Sequence, residues 1–407
     1  MRGTKYLGEL MTKYELSNNK NNLILAPIGS GKTYYIFNEL RKNKKILYLC
    51  DNNNLKEQAM KEPKTYGFHN EHEFEYNFEV NKTYISTYKE FGSRIEFDID
   101  NEYVSQFDLI VADEIHSLIE FYSYSNDAHL SHAIRFLLTI HEVPIIMFTA
   151  TPYYLTKLCE ENPQFKDNFQ VIDLSKDRRI RRYTERRKCF INNLSQARLI
   201  LDLKEYANGF NYMGMKCLIY TKRINEMQEI EELCKNIEDV DLRPICIWSI
   251  NADKPMNTEQ LFARQYLIEN ERLPEEYNVL IINKASETGI NIKDENMDLA
   301  IINSTNLTEQ TQARGRIRKD IDMIAVRTDL KKLPPMTINI RNKYLYKWIT
   351  KDDINELIKE YNIKNKDGNY IGIRALNKIL NDSGYGIDQK RVTVKGKKIT
   401  KYKIVAL

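Results

Sequence analysis

The segment Ala26-Pro27-Ile28-Gly29-Ser30-Gly31-Lys32-Thr33 holds the residue types that grip a phosphate. Small residues at Ala26, Gly29 and Gly31 let the backbone curl, so that successive N–H groups point at one anion. Lys32 neutralises that anion, and Thr33 offers its hydroxyl to Mg²⁺. Gly29, Ser30, Gly31, Lys32 and Thr33 are therefore expected to bind the phosphates of a cofactor, with Thr33 also a metal ligand. The chemistry needs a strand before the loop and a helix after it. Leu23-Ile24-Leu25 reads as the strand end, and Tyr35, Ile36 and Leu40 give the next segment an apolar side away from Asn38, Glu39 and Arg41.

A second group follows the apolar run Leu109-Ile110-Val111-Ala112, namely Asp113-Glu114-Ile115-His116. Two adjacent carboxylates at a strand end are costly unless they serve a cation. Asp113 suits Mg²⁺ coordination, directly or through water, and Glu114 suits activation of an attacking water. Ile145-Ile146-Met147-Phe148 then leads into Thr149-Ala150-Thr151-Pro152, whose hydroxyls are placed to hydrogen-bond the acidic pair and report the nucleotide state.

These residues need a scaffold that delivers strand ends to one edge. Ile46–Cys50 and Thr83–Ile85 are further apolar runs, each followed by a helical or hydroxyl-rich segment. Strands that are apolar throughout and alternate with helices predict a parallel sheet covered on both faces, with its chemistry at the carboxyl ends of the strands. The alternation resumes in the second half, with strands at Cys217–Tyr220, Ile245–Trp248, Val279–Ile282 and Leu299–Ile302 and helical stretches such as Ile224–Cys234. Between the halves, residues near Ser175–Lys188 read as a charged linker. Its Arg178, Arg179, Arg181, Arg182, Arg186, Arg187 and Lys188 either line a nucleic-acid path or are merely solvated.

A chain of 407 residues has room for about two to three domains. Its 42% apolar and 29% charged residues exclude disordered and fibrous classes. Net charge of +4 is too small to demand a polyanionic partner by itself. Met1–Tyr14 lacks an apolar signal core, and no run reaches the roughly 18 apolar residues of a membrane span. A cytoplasmic protein with no membrane partner is expected. The six cysteines, Cys50, Cys159, Cys189, Cys217, Cys234 and Cys246, show no metal-binding spacing and read as reduced core thiols. His129 and His132 are read as surface or packing residues.

Taken in order, APIGSGKT, LCDNNNLKEQ, ISTY, VADEIH and FTATP resemble motifs I, Ia, Ib, II and III of superfamily 2 helicases of the DExH type. In the second half, Ile219-Tyr220-Thr221-Lys222 resembles motif IV, NKASETGIN (Asn283–Asn291) motif V, and Gln310 through Lys319 motif VI. No adenine-reading Q motif is evident upstream of Leu23. The resemblance implies that Gln312, Arg316 and Arg318 join Lys32, Asp113 and Glu114 as catalytic residues. The two arginines would stabilise charge on the γ-phosphate from across a cleft. Here GRIRK stands where much of the family has GRxxR, a spelling similar to herpesvirus-type origin-binding helicases, and Asn283 and Asn291 replace the usual motif V Thr and Asp. The resemblance also implies that Gly289 and Asn291 contact the nucleotide, and that Thr87, Thr221 and Asn283 contact the nucleic acid.

Lys331–Pro335 reads as a boundary, since Pro334 and Pro335 end regular structure. Beyond it, Asp352–Tyr361 and Ile373–Ser383 have helical periodicity, and Gln389–Val405 gives two alternating strands joined across Lys395-Gly396-Lys397-Lys398. Helices followed by a basic hairpin suggest a winged helix, similar to the small C-terminal domain of phage and poxvirus-type primase-helicases. Lys390, Arg391, Lys397 and Lys398 would neutralise phosphates there, unless the hairpin only docks on the rest of the chain.

The expected architecture is α/β. It comprises RecA-like domain 1 over 1–175, a linker with RecA-like domain 2 over 176–335, and a winged-helix-like domain over 336–407. The function implied is that of an ATP- and Mg²⁺-dependent DNA helicase or translocase, acting on single-stranded or forked DNA in replication or repair of a phage or mobile element. Replication proteins would be its partners and the host cytoplasm its location. An ATP-gated initiator that grips DNA without unwinding it, and an RNA helicase, are the alternatives.

Overall fold

The structure, a computed structural model, describes residues 4–51, 53–67, 78–96, 102–122, 127–151, 153–250, 252–283, 290–331, 334–364, 369–394 and 397–407. The chain forms two compact units, Arg2–Arg182 and Tyr183–Leu407.

In the first unit, β1 (Asn21–Leu25), β2 (Lys45–Cys50), β3 (Thr65–Gly67), β4 (Lys82–Thr87), β5 (Leu109–Ala112), β6 (Ile145–Thr149) and β7 (Phe169–Asp173) form one sheet in the order β3-β4-β2-β5-β6-β1-β7. Every pairing is parallel. All residues of β1, β5 and β6 are buried, as a sheet covered on both faces requires. The two asparagines that open β1 are tolerated because they are bonded. The Asn21 side chain donates to the carbonyls of Leu137 and Thr139 at 2.9 and 2.8 Å, and Asn22 accepts from the Ser17 N–H at 2.8 Å.

After the expected phosphate loop the chain makes one α-turn, Lys32–Tyr34, and continues as a π-helical segment, Tyr35–Leu40. That wider winding buries Phe37 along with the Tyr35, Ile36 and Leu40 expected from the sequence.

In the second unit, β8 (Glu185–Ile191), β9 (Lys216–Tyr220), β10 (Pro244–Ile247), β11 (Val279–Ile282), β12 (Met297–Ile302), β13 (Ile321–Arg327) and β14 (Thr337–Ile338) form a second sheet, ordered β10-β11-β9-β12-β13-β8-β14. It is parallel except for the antiparallel pairing of β14 with β8. This corrects the linker expected up to Lys188, because its last residues belong to a sheet strand. Arg186 and Arg187 in that strand are not merely solvated. Arg187 is buried and bonds Glu205 at 2.8 Å, Asp322 and the Tyr206 hydroxyl, while Arg186 pairs with Asp322 at 3.1 Å. Burial works hardest against the Arg187 charge, yet Tyr206, Glu205 and Asp322 together hold it above its ordinary range.

The chain ends in helices Lys351–Glu360 and Ile373–Asp382 and an antiparallel hairpin, β15 (Tyr385–Val394) with β16 (Lys397–Ala406). Their core of Ile354, Leu357, Leu376, Leu380 and Ile404 is distinct from that of the second sheet. The hairpin starts four residues before the alternation in the sequence suggests, as Tyr385 pairs with Ala406.

All six cysteines are free, and four are buried; Cys159 and Cys189 are only half-buried. His129 and His132 lie 3.1 and 3.9 Å from the Glu96 carboxylate. Among the described residues no helix is long and apolar enough to cross a membrane.

Candidate nucleotide site

The loop Ala26–Gly31 leaves the carboxyl end of β1 and turns at two glycines in the left-handed region, Gly29 at φ 81° and Gly31 at φ 88°. Other residues are strained in this conformation, and a Cβ on Gly31 would also meet the Tyr6 ring at 2.9 Å. The loop is pinned from both sides. Ala26 N–H donates to the Thr149 carbonyl at 3.1 Å, and Leu7 N–H donates to the Ser30 carbonyl at 2.8 Å. The Ser30 hydroxyl is buried with no hydrogen-bond partner among the described residues. A curled backbone with an orphaned hydroxyl inside it is what a phosphate group fits.

Asp113 and Glu114 leave the carboxyl end of β5, and Glu114 reaches the loop. Its Oε1 accepts from Lys32 Nζ at 2.6 Å, so the loop's cation and the second carboxylate form one ion pair. Glu114 sits in the left-handed region at φ 49°, a backbone strain typical of functional positions. Asp113 donates its N–H to the Leu49 carbonyl at 3.0 Å and accepts three further bonds. Tyr48 Oη donates to Oδ2 at 2.8 Å, the Glu114 N–H donates to Oδ1 at 3.0 Å, and Tyr88 Oη donates to the backbone carbonyl at 2.7 Å. Burial pushes the Asp113 carboxyl above its ordinary range, and the Glu114 charge adds to that against the pull of Lys32. A carboxylate whose charge is disfavoured until a cation arrives fits a Mg²⁺ ligand, with Thr33 at the helix start as the second expected donor.

The acidic pair is tied to the end of β6. His116 Nδ1 lies 2.8 Å from Thr149 Oγ1 and 3.3 Å from Glu114 Oε2. A proton on Nδ1 would let the ring donate to either of these acceptors. Sequence reasoning quoted His116 without giving it a role. Tyr48 and Tyr88, which hold Asp113 from β2 and the helix Tyr88–Glu96, left no motif to find. Thr87, at the end of β4, has its hydroxyl accept from Glu90 N–H at 3.2 Å and so caps that helix.

In the second unit the basic run from Arg314 to Lys319, which resembles motif VI, separates into distinct contacts. Arg314 is buried, bonding Glu185 at 3.0 Å and the carbonyls of Ile317 and Lys319. Lys319 pairs with Asp298 at 2.7 Å. Arg318 donates from Nε to Asn291 Oδ1 at 2.7 Å, so Asn291 orients that guanidinium, and Arg316 reaches the Ile290 carbonyl at 3.4 Å. Gln312 is half-buried on the helix Leu307–Gly315. Thr221 is buried at the end of β9, where its hydroxyl donates to Glu226 and accepts from Asn303 Nδ2 at 3.2 Å. Asn283, at the end of β11, is buried with its Oδ1 unpartnered among the described residues. Gly289 lies outside the described residues.

On the hairpin, Lys390, Arg391 and Lys398 are exposed, with Lys390 and Arg391 on opposite faces because they are sequence neighbours in one strand. The Lys397 side chain lies outside the described residues.

Residues 4–154 match the family described as type III restriction enzyme, res subunit. Curated proteins yielded no match. Among solved structures the chain is similar to Mss116p (NTE and C-tail double deletion) bound to ssRNA and AMP-PNP, at 14% identity over 80% of this chain and 69% of that one, TM-score 0.49. It is also similar to the E. coli DExH-box NTPase HrpB, at 14% identity over 80% of this chain and 41% of that one, TM-score 0.47. For the Pyrococcus furiosus Hef helicase domain the values are 13%, 80%, 95% and 0.42.

Proposed function

We propose that the protein is an ATP-dependent nucleic-acid helicase or translocase of superfamily 2, acting on single-stranded or forked DNA in replication or repair of a phage or mobile element. In this reading 1–175 and 176–335 are its two motor domains and 336–407 a winged-helix-like nucleic-acid module. The observation that carries it is the 2.6 Å pair between Lys32 and Glu114, which puts a phosphate-loop cation and a candidate general base in one place at the carboxyl edge of a parallel sheet. The family match over residues 4–154 supports it independently.

Lys32 then exchanges Glu114 for the β- and γ-phosphates of ATP. Glu114, freed of that cation, takes a proton from the attacking water. Thr33 and Asp113 would hold Mg²⁺, which when bound screens the phosphate charge. Arg316 and Arg318 meet the charge that develops on the γ-phosphate, a contribution on the order of 10³–10⁵ in rate. Asn291 keeps Arg318 extended for that purpose, and Gln312, Thr149 and Thr151 couple the nucleotide to the bound strand.

The test is ATP turnover with and without DNA and RNA of one sequence, followed by strand displacement on tailed duplexes. Lys32→Ala and Glu114→Gln should each cut turnover by about 10³-fold or more, with Glu114→Gln still binding ATP. Turnover near the parent level in either variant removes the site. DNA-stimulated turnover without a displaced strand would point to the initiator reading, and stimulation by RNA alone to an RNA helicase.

A further inference from the structure

Between Leu345 and Ile349 the chain runs beside β16. Tyr346 N–H donates to the Ile404 carbonyl at 2.8 Å, and Ile349 and Tyr402 exchange bonds at 2.8 and 2.9 Å. Residues 347 and 348 bow out between these anchors, helped by Tyr346 at φ 57°. The bow lays Trp348 against one face of the hairpin, with Lys390 Nζ 4.0 Å and Lys403 Nζ 5.4 Å from its ring.

That face follows from the register. Lys390 pairs with Lys401, Asp388 with Lys403, and Val392 with Ile399, all on the side that carries Trp348. The opposite side sends Ile404 into the core. Lys390 directly opposite Lys401 is a like-charge pair, which destabilises a hairpin by itself. Asp388 pairs with Lys403 at 3.5 Å and, among the described residues, with no other cation. An exposed face with an indole 36% open, a surplus of ammonium groups and an apolar row beyond them is complementary to a chain of phosphates carrying flat bases.

We propose that this face binds single-stranded nucleic acid, with one unpaired base stacked on Trp348 and the flanking phosphates on Lys390, Lys401 and Lys403. An exposed cation–π contact is weaker than base stacking, so Lys390 yields the ring to the base and moves to its phosphate. A duplex hides its base faces, so it gains from the lysines and not from the indole. The proposal rests on the nucleic-acid reading above and adds to it the strandedness and the residue that reads it.

The chain has two tryptophans, and Trp248 is buried with Nε1 donating to the Lys254 carbonyl at 2.7 Å. Trp348 is therefore the fluorophore a ligand can reach. With the full-length protein, a short oligothymidylate should quench tryptophan emission, and a blunt hairpin duplex should bind without quenching. Trp348→Leu should abolish the quenching and weaken oligothymidylate binding about tenfold, and Trp348→Phe should restore affinity. That rescue, with unchanged thermal midpoints, rules out misfolding. Lys390→Gln with Lys401→Gln should weaken both ligands and lower the salt slope by about 1.4 for the single strand and about 1.8 for the duplex. Trp348→Leu binding as tightly as the parent, or equal quenching by the duplex, would overturn the stacking proposal while leaving the nucleic-acid reading intact. No binding of the oligothymidylate, the duplex or an oligouridylate by the parent protein, with or without a non-hydrolysable ATP analogue, would sink both.

Discussion

At the scale of single residues, the site is built from charges that suit a bound cation and an anion better than they suit the resting chain. Asp113 is the clearest case. Burial, then the neighbouring Glu114 charge, raises its pKa over the opposing pull of Lys32. An acid whose folded pKa is raised is held less favourably as an anion in the fold than in the unfolded chain. Its charge therefore costs stability at neutral pH, and the cost vanishes at acid pH where it is protonated in both states. Asp113→Asn should abolish turnover yet raise the unfolding midpoint at neutral pH by about 2–4 °C, the effect of about 1 kcal/mol in a unit of this size. The gain should fade in melts run below the usual carboxylate range, and a lower midpoint at neutral pH would contradict the burial argument. Lys32, Asp113 and Glu114 were legible in the sequence because their chemistry demands fixed types at fixed spacings. Tyr48 and Tyr88 were not, since a buried tyrosine that donates to a carboxylate looks in sequence like any other core aromatic.

At the scale of elements, apolar strands were readable and charged ones were not. β5 and β11 are runs of apolar residues that lie where the runs predict, and β1, β6 and β9 contain theirs, extended by Asn21 and Asn22, Thr149 and Lys216. β8 begins Glu-Arg-Arg-Lys, and its place in the sheet depends on Glu205 and Asp322, which are distant in sequence and neutralise Arg187. Close helix packing is equally silent in sequence. Helices Tyr88–Glu96 and Ala128–Leu138 approach so nearly at Gly92 that a Cβ there would sit 1.8 Å from the His129 carbonyl oxygen. The obstacle is backbone, so no rotamer change relieves it. Gly92→Ala should destabilise the first unit by about 2–3 kcal/mol, measured by urea unfolding. Because the same helix carries Tyr88 to the Asp113 carbonyl, turnover should fall as well. An unaltered midpoint would mean the helices separate at little cost.

At the scale of the whole molecule, the C-terminal helices and hairpin have a core of their own but are fastened to the second sheet. β14 completes that sheet by covering the edge of β8, and Asn339 N–H continues the pairing to the Arg186 carbonyl at 3.0 Å. Arg186 NH1 donates to the Glu360 carbonyl at 2.9 Å, and Asn362 Nδ2 donates at 2.6 Å to Glu205, the carboxylate that also holds Arg187. Removing everything after Pro335 would thus bare a strand edge and take one hydrogen bond each from Arg186 and Glu205, which flank a buried guanidinium. Bare edges recruit other chains, and a lost hydrogen bond to a charged group costs on the order of 1.5–3 kcal/mol. A fragment spanning residues 183–407 should therefore be monomeric and unfold in one cooperative step, whereas 183–335 should aggregate or melt far lower, as light scattering and calorimetry would show. A soluble 183–335 fragment with the midpoint of the longer one would mean the fastening contributes little. The outcome also decides how nucleic-acid binding by the tail has to be probed. If the tail stabilises the second sheet, its deletion confounds lost affinity with lost fold, and point substitutions on the hairpin face are the variants that separate the two.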